Sequence, residues 1–180
     1  MWFSRNPKPE DETVLPPYDF SVALLLPVME RFERSVAILQ ERARAEAAIY
    51  GESLAPLQPG FSEYEITDLE RKQGAPFASE VREFLRQWKR VGGGGGFGFH
   101  GPDSWVTDEK FAGKRYPDSS YLVVGDYWRY ADGDLLIMPL TGETGKVLLY
   151  LHEDGPEIEE IAPSFSLALW RMAHEDFEED

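Results

Sequence analysis

Two periodicities appear along this chain, and their order narrows the fold more than any other feature. In the first half apolar residues recur at steps of three and four, while in the second they gather in short runs rich in β-branched, leucine and aromatic residues. The two patterns do not alternate, so a parallel βαβ sheet is excluded and helices followed by antiparallel strands are predicted.

The first stripe, Val22, Leu25, Met29, Phe32, Val36, Leu39 and Ala43, has Glu30, Arg31, Glu33, Arg34, Glu41, Arg42 and Arg44 on the other positions. It predicts an amphipathic helix whose regular part runs from Pro27 to Tyr50, with Pro27 in its first turn or kinking it and Gly51 stopping it. Such a seam either packs on the chain's own body or pairs two copies into a homodimer. Ser53 to Gly60, with Pro56 and Pro59, reads as a linker. Ser62 with Glu65 three residues on forms a capping-box pattern that opens a second helix, ended by Gly74. Phe77, Val81, Phe84, Leu85 and Trp88 predict a third from Ser79, read as its cap, to Arg90.

Beyond this, Gly92 to Gly96 predicts an irregular, flexible connector. Phe97–Phe99, Tyr121–Val124, Asp134–Leu140 and Lys146–Leu151 read as strands, the last two joined by a hairpin loop at residues 141–145, and Glu157–Ile161 as an edge strand. Ser104 to Gly113 reads as a helical turn or irregular loop. Ser164 caps a closing helix with Phe165, Ala168, Leu169, Met172 and Ala173 on one face. The acids from Glu175 to Asp180 oppose the helix dipole and predict fraying. The chain thus divides into a flexible tail (1–18), an N-terminal helical extension with its linker (19–59), an α+β domain with helices gathered on one side of an antiparallel sheet (60–177) and a frayed acidic end (178–180).

Charge is distributed unevenly. Of the net −15, residues 117–180 hold −12, because fifteen acids there face only Arg129, Lys146 and Arg171. This field repels nucleic acid and anionic membranes and favours a basic protein partner, or it serves solubility alone. The absence of cysteine removes disulfides and thiolate sites and fits a reducing compartment. The N-terminal residues are too polar for a secretory leader and Val22–Met29 is too short to span a bilayer, so a cytoplasmic protein is expected.

Motifs for chemistry are scarce. The G-x-G-x-x-G match from Gly93 to Gly98 follows a helix instead of a strand. His100, His152 and His174 have no metal-ligand spacing, Asp132-Gly133-Asp134 lacks the rest of a calcium loop, and there is no G-x-S-x-G elbow. No cofactor, metal or catalytic residue is assigned. Recognition remains: Tyr127, Trp128 and Tyr130 cluster with Asp126, Asp132 and Asp134 in a loop between strands, and Glu153 and Asp154 add acids in a neighbouring one. These eight are the partner-binding candidates, although the rings could equally cover the core from above.

From Gly60 to about Phe177 the chain resembles the SUKH superfamily, in particular its SMI/KNR-type members. The resemblance is carried by Ser62-Glu63-Tyr64-Glu65-Ile66 with Leu69-Glu70 and Gly74, by Ala75-Pro76, and by Val81, Phe84, Leu85 and Trp88 before a glycine-rich turn. The turn Asp132 to Asp134, the strand Gly145 to Tyr150, and Glu160-Ile161-Ala162-Pro163-Ser164-Phe165 complete it in the family's order. It implies an α+β fold with a curved antiparallel sheet, and a non-enzymatic immunity protein that binds a cognate toxin domain, many such toxins being nucleases. A regulatory or scaffold adaptor of the same fold, and a small hydrolase with a site assembled only in three dimensions, are the alternatives.

Overall fold

The hydroxyl of Ser62 accepts from the Glu65 amide while the Glu65 carboxylate accepts from the Ser62 amide at 2.7 Å, so the chain closes the capping box that its spacing predicts. In this computed structural model the described residues are 17–54, 56–94, 97–100, 106–107, 121–127, 133–140, 145–151 and 157–175. Among these residues five helices are α1 (Ser21–Leu24), α2 (Val28–Ile49), α3 (Glu63–Gln73), α4 (Ser79–Gln87) and α5 (Phe165–His174), and seven strands are β1 (Val91–Gly94), β2 (Phe97–Phe99), β3 (Val106–Thr107), β4 (Tyr121–Tyr127), β5 (Leu135–Pro139), β6 (Val147–Leu151) and β7 (Glu157–Ala162). No helix among the described residues is long and apolar enough to cross a membrane.

The strands form one open antiparallel sheet in the order β1-β2-β4-β5-β6-β7, with β3 pairing the start of β4. Helices and sheet make an α+β architecture, as expected. Register shifts in β1, in β4 between Val123 and Gly125, and between β6 and β7 mark bulges, which bend a sheet and increase its twist.

One face of the sheet carries the main core. Leu122, Val124, Leu136, Met138, Val147, Leu149 and Leu151 pack with Phe32, Val36 and Leu39 of α2, Val81, Phe84 and Leu85 of α4, and most of α5. Aromatic edges lock the three helices: Phe32 lies 5.5 Å from Phe84, Phe84 5.2 Å from Phe165, and Phe165 4.6 Å from Phe99 of β2, centroid to centroid. The α2 seam therefore packs on the chain's own body. Its first members do not: Val22 lies in α1 and Leu25 caps that helix, both ahead of Pro27, and they are 60% and 84% exposed.

Other expectations are corrected. Val91–Gly94 forms β1 instead of an irregular connector, because ladder hydrogen bonds come from the main chain, which glycine supplies as well as any residue. Ser79 is the first residue of α4 and not its cap, and the helix stops at Gln87 because Trp88 turns extended and bridges to Pro59. Val106–Thr107 pairs with β4 instead of joining a helical turn; the rest of 104–113, like the loop residues 141–144, lies outside the described residues. Ser164 does precede α5, but its hydroxyl makes no cap bond; the Ser166 amide donates instead to Glu80 Oε2 of α4 at 2.9 Å. Glu175, expected to fray, is buried.

Candidate functional site

The strands β5 and β6 are apolar at every position but Pro139, which an antiparallel sheet with one wet face would not need. The register explains it. Val123 pairs with Ile137, Ile137 with Leu148 and Leu135 with Tyr150, so these five residues share the face turned away from the helices. They form a second buried cluster, separate from the main core, and among the described residues only Tyr121 packs against it. Charged groups bound this apolar row on both sides.

On the β2 side, Asp126 pairs with Leu135 of the row and so lies on the same face. Its carboxylate meets His100 Nε2 at 2.6 Å, and the His100 amide donates to the Val124 carbonyl at 2.8 Å, which holds the ring beside β4. Both side chains are about one-third exposed, 36% for His100 and 28% for Asp126, so the pair is wet and reachable. On the β7 side, Lys146 Nζ meets Glu160 Oε2 at 2.7 Å. The apolar row itself is covered, none of its five residues being more than 9% exposed, so what this face offers solvent among the described residues is its charged margins: Asp126 with His100 on one side and Glu160 with Lys146 on the other. Among the described residues no three His, Cys, Asp or Glu side chains converge as a metal site requires.

The eight residues expected to meet a partner fare differently. Asp126 is accessible, at the end of β4. Tyr127 is fully buried in the main core, where its hydroxyl donates to the Glu175 carboxylate. It is a core residue, because β4 runs three positions beyond the expected end at Val124, and the bulge between Val123 and Gly125 resets its alternation so that Asp126 faces away from the helices and Tyr127 toward them. Asp134 is 1% exposed, and its carbonyl accepts from the Tyr127 amide at 3.2 Å. Trp128, Tyr130, Asp132, Glu153 and Asp154 lie outside the described residues.

Two features were missed from sequence. The His100–Asp126 pair joins residues 26 positions apart, and only the β2–β4 register brings them together. The apolar row did leave a signal, since Leu135 to Met138 and Val147 to Leu151 are unbroken apolar runs where alternation would mark a one-sided sheet. No curated protein matches the chain. The fold, the closing segment before α5 and the ordered motifs agree with one further finding: the chain belongs to the SMI1/KNR4 family (SUKH-1), whose model matches residues 60–169, more than half of its length.

Proposed function

We propose that this chain is a non-enzymatic immunity protein that acts in the cytoplasm, binding a basic toxin domain and neutralising it directly. The observation that carries the reading is membership of the SMI1/KNR4 (SUKH-1) family, known for immunity proteins whose domains generally bind toxins. Charge supports it and gives the partner its sign: a net −12 over residues 117–180 steers a cationic domain toward the C-terminal half and raises the association rate at low salt.

On this reading Asp126 contacts the partner from the margin of the far sheet face, and the chemistry of Trp128, Tyr130, Asp132, Glu153 and Asp154 suits them to further contacts as aromatic anchors and acids. Tyr127 and Asp134 support it from within. The test is co-expression with the protein encoded beside this gene, scoring growth and co-purification, next to the double variant Asp126→Lys with Asp132→Lys. Rescue through a salt-sensitive complex that the double variant weakens is the expected result. A harmless neighbour that forms no complex would overturn the immunity reading in favour of an adaptor that docks another protein.

A further inference from the structure

Among the described residues β7 pairs only with β6, which makes it a margin of the sheet. A terminal antiparallel strand turns alternate backbone N–H and C=O groups outward, where a further strand can bind them. One end of this row is closed. The bulge opposite Val147 and Leu148 leaves Ile161 as the extra residue, and its carbonyl accepts from Arg171 Nη1 at 3.1 Å. Before it, two side chains remain accessible, Ile158 at 39% exposure and Glu160, while Glu159 between them is buried.

The two exposed side chains share a face. Ile158 pairs with Tyr150 and Glu160 with Leu148, both of the apolar row, so the row continues to the margin as one apolar and one acidic residue, two positions apart. The sign of a matching strand follows from Glu160, whose carboxylate is exposed, whereas Glu159 pairs with Leu149 and is buried. The chain supplies its own precedent: from the β6 side, Lys146 reaches across to Glu160 at 2.7 Å. A second copy of β7 is a poor occupant, because it would set carboxylates against carboxylates, and like charges across a strand pair destabilise it.

We infer that the β7 margin accepts a basic, extended protein segment as an added antiparallel strand, with an apolar residue set against Ile158 and a lysine or arginine against Glu160. Main-chain hydrogen bonds supply the attraction and the two side-chain positions supply the selection. The inference goes beyond the immunity reading and does not depend on it, since it concerns a peptide chemistry and not a particular partner.

The experiment is a titration of the isotope-labelled full chain with a short peptide repeating valine, threonine, lysine and threonine, which sets valine and lysine two positions apart on one face, followed by backbone amide shifts. Saturable shifts centred on Ile158 and Glu160 are expected. The same peptide methylated on alternate backbone nitrogens should fail to bind, and Glu160→Lys should weaken the unmodified peptide roughly five- to tenfold, the scale of exchanging an attractive cross-strand charge pair for a repulsive one. Glu160 is exposed, so the variant's remaining amide spectrum reports an intact fold. Equal binding of the methylated peptide would reduce the contact to charge alone and overturn strand addition. Shifts centred elsewhere, or no saturable binding, would overturn it as well.

Discussion

The phenol of Tyr127 donates its proton to the carboxylate of Glu175, two buried groups 48 positions apart that tie the end of β4 to the end of α5. The same carboxylate faces Arg171 Nε and Nη2, each at 3.3 Å, and the Arg171 guanidinium is only 2% exposed. From the exposed side Arg42 of α2 donates to the Met172 carbonyl at 3.1 Å, so a third element reaches the end of α5 beside this buried knot.

Breaking the knot at different points should cost different amounts. Tyr127→Phe removes one hydrogen bond to a charged acceptor while Arg171 still neutralises Glu175, a loss of about 2 kcal/mol. Glu175→Ala takes away the carboxylate that two nitrogens of a buried guanidinium face, and should cost about 3 kcal/mol or more. Urea unfolding of the two variants checks the order; a larger loss for Tyr127→Phe would show that the phenol's packing, and not the knot, matters there.

Two glycines should respond to alanine for opposite reasons. A Cβ on Gly125 would sit 2.2 Å from the Gly98 carbonyl oxygen of the neighbouring strand, a backbone atom that cannot swing aside. Gly74 has nothing within 4 Å of such a Cβ but ends α3 at φ +79°. Gly125→Ala should therefore cost about 3 kcal/mol through overpacking, and Gly74→Ala about 1 kcal/mol through backbone strain alone. Thermal unfolding of both distinguishes the mechanisms, and equal losses would contradict the close approach at Gly125.

Local signals in the sequence transferred well where local chemistry decides. The Ser62–Glu65 box and Gly74 fix both ends of α3 without help from the rest of the chain. Where tertiary contacts decide, the sequence was silent or misleading. Gly92–Gly94 joined β1 because β2 offered them a ladder, and Glu175 was drawn inward by Arg171 against the helix dipole. The site shows the same division: the acidity of the C-terminal half is legible in composition, but which acids stand at the surface follows from strand parity. The bulge at Val124 shifts that parity by one and so places Asp126 outside and Tyr127 inside.

Acid should unfasten the α3 cap in a defined window. Hydrogen bonds from the Ser62 hydroxyl and amide hold the Glu65 carboxyl below the usual glutamate range. The folded state thus binds that proton less readily than the unfolded state, so the contribution is complete above the ordinary glutamate value and disappears as pH falls through the lowered one. Ser62→Ala removes the cap, and its stability gap from wild type should narrow on acidification. Glu46 runs the other way: burial raises its carboxyl, so its ionisation opposes folding as pH rises. Glu46→Gln should be the more stable form at neutral pH, with the advantage gone once wild-type Glu46 is protonated in both states. A gap for Ser62→Ala that is constant in pH would disprove the coupling.

The seam of α2 decides whether residues 60–177 can stand alone. Phe32 is fully buried and Val36 and Leu39 are each no more than 4% exposed, in one core with residues of α4, the sheet and α5 that lie beyond position 60. Removing the chain before Gly60 would uncover Phe84, Phe165 and the α5 face at once, a contiguous apolar surface that a soluble domain rarely leaves open. Phe32→Ala in the full chain should already cost about 3–5 kcal/mol. The shortened chain is expected to aggregate or to bind a hydrophobic dye strongly and lose its cooperative unfolding transition. A shortened chain that unfolds cooperatively near the full-length midpoint would show that α2 is an addition to a self-sufficient core, and would return its seam to the role of a dimer interface.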